Sequence, residues 1–366
     1  MLAALLLLAV SEKPIDATTL VGKVMCGYQG WFRTPGDPDG RGWAHWSRDR
    51  RSLNQENATF EMWPDTREYP AKTLAPALGG KLFSSAYPEV TDLHFKWMRQ
   101  YGIDGVFVQR FVSEVDDFAK VLSNVRRSAE KEGRTFAVEY DMSGSLFPES
   151  LNKMKRDWAF LRDTLKITKS PRYLHHRGKP VLAIFGFFAD RITGTDANSI
   201  IDAFSGEVSL VGAGQWWWRR ETQPEWSRAF RRFTAYSPWD VGNARNVAGV
   251  LTAATDRWAD DLVEAQRSGM LLLPVIYPGF SWDRLKRLAP GTSLIPRRRG
   301  AFFREQFAAA ASLKIGQSFV AMFDEVDEGT AVFKVAEAPG FLGLEGLESD
   351  AYLRMTGEGA KLIQGK

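Results

Sequence analysis

Cysteine is almost missing from these 366 residues: Cys26 stands alone, beside only 4 His. No intramolecular disulfide can form, and there is little material for a Cys/His zinc site. Stability must therefore come from packing, which a chain of this length can supply unaided. An excess of one charge is missing too. With 48 basic and 44 acidic residues the formal charge is only +4, a mixed surface that argues against nucleic acid as a partner. The densest basic run, Arg297-Arg298-Arg299 with Lys286 and Arg287 upstream, reads as a solvated loop or an anion contact. A G-x-G-x-x-G phosphate loop is lacking, since the first β-type run leads into Cys-Gly-Tyr-Gln-Gly-Trp, and no G-x-S-x-G elbow anchors a Ser-His-Asp triad. The apolar run 1–10 is shorter than the ~20 residues of a membrane-spanning helix, so no stable membrane insertion is expected. It matches the h-region of a secretory signal without the positive n-region. The expectation is an exported protein, periplasmic or extracellular, with 1–14 a signal or N-terminal segment and 15–366 one domain.

What is present is an ordinary globular composition, 44% hydrophobic and 25% charged. Short continuous apolar runs occur at 23–28, 105–109, 135–140, 181–186, 208–212, 233–236, 271–277 and 318–323, as strands buried on both faces require. Between them the apolar spacing becomes helical. Val90, Leu93, Trp97, Met98 and Tyr101 recur before Gly102; Val247, Val250, Leu251, Ala254, Trp258, Leu262 and Ala265 before Gly269; Phe303, Phe307, Ala310 and Leu313 before Gly316. Eight alternating pairs predict an α/β fold, a (β/α)8 TIM barrel with long loops at the C-terminal face of its strands. The Pro- and Gly-rich stretch 30–88 is the longest such loop.

Residues just past the strand ends converge on one mouth in such a barrel. They include Tyr28, Trp31, Trp43, His45 and Trp46 after run one, and Glu139, Tyr140 and Asp141 after run three. Run five is followed by Gln215, Trp216, Trp217 and Trp218, run six by Tyr236, Trp239 and Asp240, and run seven by Tyr277, Trp282 and Asp283. Of the 13 Trp, those at 97, 158, 226 and 258 lie on helical stretches and read as core. The others suit a cleft in which rings stack on sugar faces and carboxylates bind hydroxyls, or else fill gaps between loops. His175-His176 precedes run four at the opposite end and reads as a surface turn, and His94 as a half-exposed helical residue.

The densest chemistry follows run eight, where Asp324, Glu325, Asp327 and Glu328 put four carboxylates into five residues. Crowded like charges raise one another's pKa, so one carboxyl can stay an acid while another serves as base, the division glycoside cleavage needs. A solvated acidic loop or an all-oxygen Ca2+ site uses the same residues.

With Tyr28 and Trp31 after run one and Glu325-x-x-Glu328-Gly329-Thr330 after run eight, the chain resembles glycoside hydrolase family 99 and its 71/99-like relatives. Tyr277-Pro278-Gly279-Phe280-Ser281-Trp282 and Ile295-Pro296-Arg297 are similar to loops of the 71/99-like branch. The likeness spans most of the chain from about Leu20, and its specific part is the run-eight motif. It implies a retaining α-glycosidase of oligosaccharides or polysaccharides, without a cofactor or metal. Glu325 would be the base that activates the substrate's own 2-hydroxyl, giving a 1,2-anhydro sugar, and Glu328 the acid that protonates the leaving oxygen. Tyr28 and Tyr236 would touch the sugar beside the cleaved bond, and Trp31, Trp46, Tyr140, Asp141, Trp216, Trp217, Trp239, Asp240, Tyr277, Trp282 and Arg298 complete the expected substrate surface. The family pattern has Trp-His between its glutamates and Asn before them, where this chain has Val326-Asp327 and Asp324. A sugar other than mannose or an unusual leaving group is therefore expected, with the arginine run meeting a carboxylated or sulfated glycan. A carbohydrate-binding barrel without catalysis is the alternative.

Overall fold

A computed structural model describes residues 13–115 and 119–365; the apolar run 1–10 lies outside them. The barrel strands are β1 Val24–Tyr28, β2 Gly105–Phe111, β3 Thr135–Asp141, β4 Lys179–Phe187, β5 Ser209–Gln215, β6 Ala235–Trp239, β7 in two pieces, Leu271–Leu272 and Val275–Ile276, and β8 Ser318–Val320. All pair in parallel, β6 with the first piece of β7 and β8 with the second, so the path β6-β5-β4-β3-β2-β1-β8 begins and ends on one strand and the ring is closed. Pro274 divides β7 because it has no N–H for the ladder. The sheet stays continuous there, since Leu273 N–H donates to the Tyr236 carbonyl at 2.9 Å and Phe319 N–H to the Pro274 carbonyl at 3.0 Å.

Helices α1 Pro88–Tyr101, α2 Ala119–Glu132, α3 Glu149–Ala159, α4 Gly194–Phe204, α5 Pro224–Phe230, α6 Trp258–Arg267, α7 Asp283–Lys286, α8 Ala301–Ser312 and α9 Ala351–Gln364 accompany the strands among the described residues. The apolar stripe expected on α1 faces inward, with Val90, Leu93, Trp97 and Met98 buried, and Gly102 ends the helix at φ 75°. Trp97, Trp158, Trp226 and Trp258 are core residues, as their helical spacing predicts. No helix among the described residues is long and apolar enough to cross a membrane.

Helix α9 closes the ring against α1 where a Cβ on Gly357 would sit 1.8 Å from the Tyr101 carbonyl oxygen. Gly357→Ala must push two backbones apart, and a loss of about 1–3 kcal/mol is expected. Thermal unfolding checks this; an unchanged Tm would show that the helices can separate freely.

Alternation along each strand decides what enters the barrel. Gly27 faces Met322 and Phe319 inside, so Cys26 and Tyr28 face the helices. The stacked rings of Phe107 and Phe319, 5.3 Å apart, fill the middle of the barrel, and Trp239 meets Phe319 at 5.2 Å and Phe185 at 5.0 Å edge to face. On β3 the same rule turns Glu139 and Asp141 inward and Tyr140 outward.

The stretch 30–88 is packed rather than open. Trp46 is fully buried against Phe32, Phe60 and Phe83, and its Nε1 donates to the Phe83 carbonyl at 3.0 Å. Strand pair Leu74–Ala77 with Gly80–Phe83 and strand pair Trp63–Pro64 with Val335–Ala336 stiffen it. The Val326 carbonyl accepts from Glu61 N–H at 2.8 Å and Met62 N–H at 3.2 Å, which binds this subassembly to the segment after β8.

Candidate active site

The segment after β8 is a tight reversal. Phe323 N–H continues the β1 ladder to the Gly27 carbonyl at 2.8 Å, and the Glu325 carbonyl accepts from Thr330 N–H at 3.2 Å and Ala331 N–H at 3.0 Å. Asp324, wholly buried, accepts from Gln29 N–H at 2.8 Å and Gly30 N–H at 2.9 Å, so its carboxylate fixes the turn leaving β1. Burial raises its pKa to about 6 against those two donors. The buried Arg297 guanidinium donates to the Gly329 and Ala331 carbonyls, both at 2.8 Å, and clamps the outgoing side of the loop.

This frame leaves Glu325 7% exposed and Glu328 half-buried. Burial, then the charges of Glu328 and Asp327, hold Glu325 well above the ordinary carboxylate range, while the neighbouring Gln29 amide favours its ionised form. Burial raises Glu328 to about 7, with Lys286 pulling downward and Asp141 pushing upward. Asp327 is raised well above normal by burial and by Glu328. Glu139 is raised likewise by burial and by Asp141, and neither of its carboxyl oxygens has a hydrogen-bond partner of full geometry, although the Gln109 amide lies close enough to favour its ionised form. The mouth is thus a set of mutually destabilised carboxylates from β3 and the β8 loop, with Lys286 facing Glu328 and Arg191 facing Asp141. Among the described residues no three His, Cys, Asp or Glu side chains are grouped to hold a metal ion.

The other expected site residues divide sharply. Trp239 stands over the Phe107–Phe319 layer, and Asp141, 4% exposed, accepts from Ser143 N–H at 2.7 Å beside Glu328. Trp216 and the 44% exposed Trp217 meet edge to face at 5.3 Å. Arg257 lies 4.7 Å over the Trp216 ring and is ion-paired to Asp240, so Asp240 supports the ring from below. Trp282 is half-buried with Lys286 Nζ 5.1 Å over its ring, and Ser281 N–H donates to the Glu328 carbonyl at 3.0 Å. Trp31 is stacked on His45 at 4.0 Å.

Three tyrosines expected at the mouth belong instead to the layer between barrel and helices. Tyr28 bonds His94 Nδ1 at 3.0 Å, Tyr140 donates to Asp157 on α3 at 2.6 Å, and Tyr236 packs on Trp218 and Phe230 and donates to the Gln215 carbonyl at 3.1 Å. Tyr277 stays at the C-terminal rim, buried against Phe302 at the start of α8, and donates to the Asn243 carbonyl in the loop after β6. Trp46 and Trp218 are core, and Trp43 is nearly so. Asp283 is a structural acceptor, taking Gly291 N–H at 2.6 Å and Ser293 N–H at 2.8 Å. Arg298 is ion-paired to Glu305, while its backbone N–H and that of Arg299 donate to Glu345. The arginine run therefore spends its charge on this chain's own acids and carbonyls. His94, expected half-exposed, is fully buried between Tyr28 and Tyr69, bonded to the latter at 2.7 Å, and burial lowers its pKa to about 3. His176 is 6% exposed, not a surface residue, and shares its Nδ1 with Thr19 at 3.3 Å.

Two larger cavities, of ≈ 330 and ≈ 340 Å³, border the β8 loop through Ser281 and Gly329 and share Leu294 and Leu342. Neither is walled by Glu325 or Glu328. Two further polar residues belong to the barrel interior, Gln29 and Gln109, which period-two alternation from Gly27 and Phe107 assigns there.

No protein-family model matches the sequence, and neither does any curated protein. Among solved structures, the GH99 endo-α-mannosidase from Bacteroides thetaiotaomicron in complex with bis-tris propane superposes with TM-score 0.73 at 17% identity, covering 95% of this chain and 98% of the other. A second structure of that enzyme gives 0.72 at 17% identity, covering 95% and 99%, and a glycoside hydrolase-like protein gives 0.54 at 14% identity, covering 95% and 97%. Over nearly its whole length, then, this chain has the α/β-barrel fold of a GH99 glycoside hydrolase.

Proposed function

We propose that the chain is a glycoside hydrolase that cleaves α-linked glycans with retention, using Glu325 and Glu328. The observation that carries this reading is a pair of carboxyls three residues apart in the β8 loop, Glu325 raised by burial and by Glu328, and Glu328 raised by burial, at a barrel mouth where Trp239 provides a ring surface. In the reaction Glu325 takes the proton of the sugar 2-hydroxyl, O2 displaces the leaving oxygen from C1, and Glu328 protonates that oxygen. Water then opens the 1,2-anhydro sugar at C1, giving one proton to Glu328 and keeping the other on the new C1 hydroxyl, while O2 takes back from Glu325 the proton it lost in the first step. One proton shared by the pair satisfies both roles. In the free protein it rests on Glu325, the deeper group with more carboxylate neighbours, and hydrogen bonding of the 2-hydroxyl to Glu325 transfers it to Glu328.

The pH dependence follows with a definite sign. Below about 7 both members of the pair are protonated, so no base is available; as Glu328 ionises the singly protonated pair forms. We expect kcat/KM to rise with pH up to about 7, at most tenfold per unit, and then level. A profile that falls through this range would show that the pair is not the titrating machinery. Arg298 is paired within this chain, while Lys286 and Arg191 stand by the mouth carboxylates, so neutral and anionic α-linked glycans both belong in the substrate panel. A glycan panel with mass detection of products tests the activity, and binding without turnover across the panel would assign the barrel a purely binding role.

A further inference from the structure

A small notch past the ends of β1 and β2 has the chemistry to select one sugar hydroxyl. Its walls are Gln29 after β1, Trp31 two residues on, Gln109, Arg110 and Phe111 of β2, and Glu114 and Val115 beyond, and its volume of ≈ 10 Å³ is that of one water-sized group; the Arg110 guanidinium is taken up by Asp157 and the Val115 carbonyl. Gln29, Trp31 and Gln109 are 6%, 9% and 8% exposed, so the notch sits at the edge of solvent rather than deep in the core. Each of the three side chains carries a buried polar atom without a hydrogen-bond partner, Gln29 Oε1, Trp31 Nε1 and Gln109 Oε1. Leaving three such atoms unpaired around one space is costly, since each desolvated group loses about 1–3 kcal/mol. They are also held in place. Trp31 stacks on His45 at 4.0 Å with ring planes 8° apart and meets Phe111 at 5.3 Å, and the Gln29 backbone is fixed by Asp324. Gln29 and Gln109 further connect the notch to the chemistry, because their amides lie beside the carboxyls of Glu325 and Glu139.

One unpaired donor and two unpaired acceptors carried by the residues that wall a single small space match a hydroxyl, which accepts from an indole N–H and donates to an amide oxygen. A methyl or methylene group matches none of them. We propose that Gln29, Trp31 and Gln109 form a hydroxyl-selecting subsite for the sugar whose bond faces Glu325 and Glu328, so that these residues set sugar identity. The inference rests on the glycosidase reading and deepens it.

The test is a double-mutant cycle on the full chain carrying Glu325→Gln to block turnover. Methyl α-D-mannoside, α-D-glucoside and α-D-galactoside and their 3-, 4- and 6-deoxy analogues serve as probes, with Kd measured by calorimetry. Trp31→Phe keeps the ring and removes only the N–H; Gln109→Leu keeps the bulk and removes the amide. We expect one deoxy analogue to bind roughly 10- to 100-fold more weakly than its parent. Both variants should show that loss with the parent and almost no further loss with that analogue. Losses that multiply at every deoxy position would overturn the subsite while leaving the glycosidase reading intact. Failure of every methyl glycoside and every panel glycan to bind would overturn both.

Discussion

Glu325→Gln and Glu328→Gln are each expected to lower turnover of an unactivated α-glycoside by roughly 10²–10⁴-fold while making the protein more stable at neutral pH. The catalytic half follows from the roles, because an amide neither accepts the 2-hydroxyl proton nor supplies one to the leaving oxygen. The stability half follows from linkage. Both carboxyls have folded pKa values above those of an unfolded chain, so below about 4 both states are protonated and there is no penalty. As pH rises the unfolded chain ionises first, and folding stability drops by up to about 1.4 kcal/mol per unit for each group until the folded group ionises as well. An uncharged amide of the same shape escapes this. The Tm advantage of either variant should be present at pH 7 and shrink toward zero as pH falls to about 4. Thermal scans across that range, paired with single-turnover assays, decide the matter. Substantial activity in both variants would remove the pair from the mechanism, and a Tm advantage that grows in acid would contradict the burial argument.

Arg297→Met should cost about 2–4 kcal/mol and at least tenfold in kcat/KM, although Arg297 has no contact with either glutamate's carboxyl. Its guanidinium is 5% exposed, lies 4.3 Å over the Tyr352 ring and reaches Met62 Sδ at 3.0 Å as well as the Gly329 and Ala331 carbonyls. Charge-assisted bonds of this kind contribute about 1.5–3 kcal/mol apiece. The cost of burying the cation, visible in its lowered pKa, offsets part of that sum. Methionine fills the volume and leaves two buried carbonyls unpaired. Because Thr330 and Ala331 N–H groups hold the Glu325 carbonyl, slack at 329–331 is transmitted to Glu325 and Glu328, the proposed catalytic pair. Chemical denaturation and steady-state kinetics measure both effects. A variant with the parent's Tm and kcat/KM would mean that the loop is held without the clamp.

The misplaced tyrosines show where the sequence could have been read further. Tyr140 and Asp141 are neighbours on β3, and adjacent strand residues face opposite sides, so a reading that put both in the mouth had to be half wrong. Applied from Gly27 and Phe107, the same alternation favours Gln29 and Gln109 over Tyr28. Other features had no local signal. His94 looks like any polar residue on a helix, and only two distant tyrosines, Tyr28 and Tyr69, make it a buried neutral bridge. Arg297 and Arg298 are adjacent and identical in chemistry, yet one clamps the β8 loop and the other pairs with Glu305 on α8.

From sequence alone came the alternating strands and helices, the inward stripes of α1 and α8 and the crowding of carboxylates after β8, because periodicity and composition act between residues close in the chain; the helical spacing read from Val247 instead begins in an antiparallel strand pair, Ala244–Val247 with Val250–Ala253, where Val247 and Val250 are exposed. Only the tertiary structure decided which aromatic rings line the mouth, which arginines are already committed, and how far Glu325 and Glu328 depart from ordinary carboxyls. Those depend on burial and on charges brought together across hundreds of residues, and electrostatic energy in a low-dielectric interior is set by distance in space rather than along the chain.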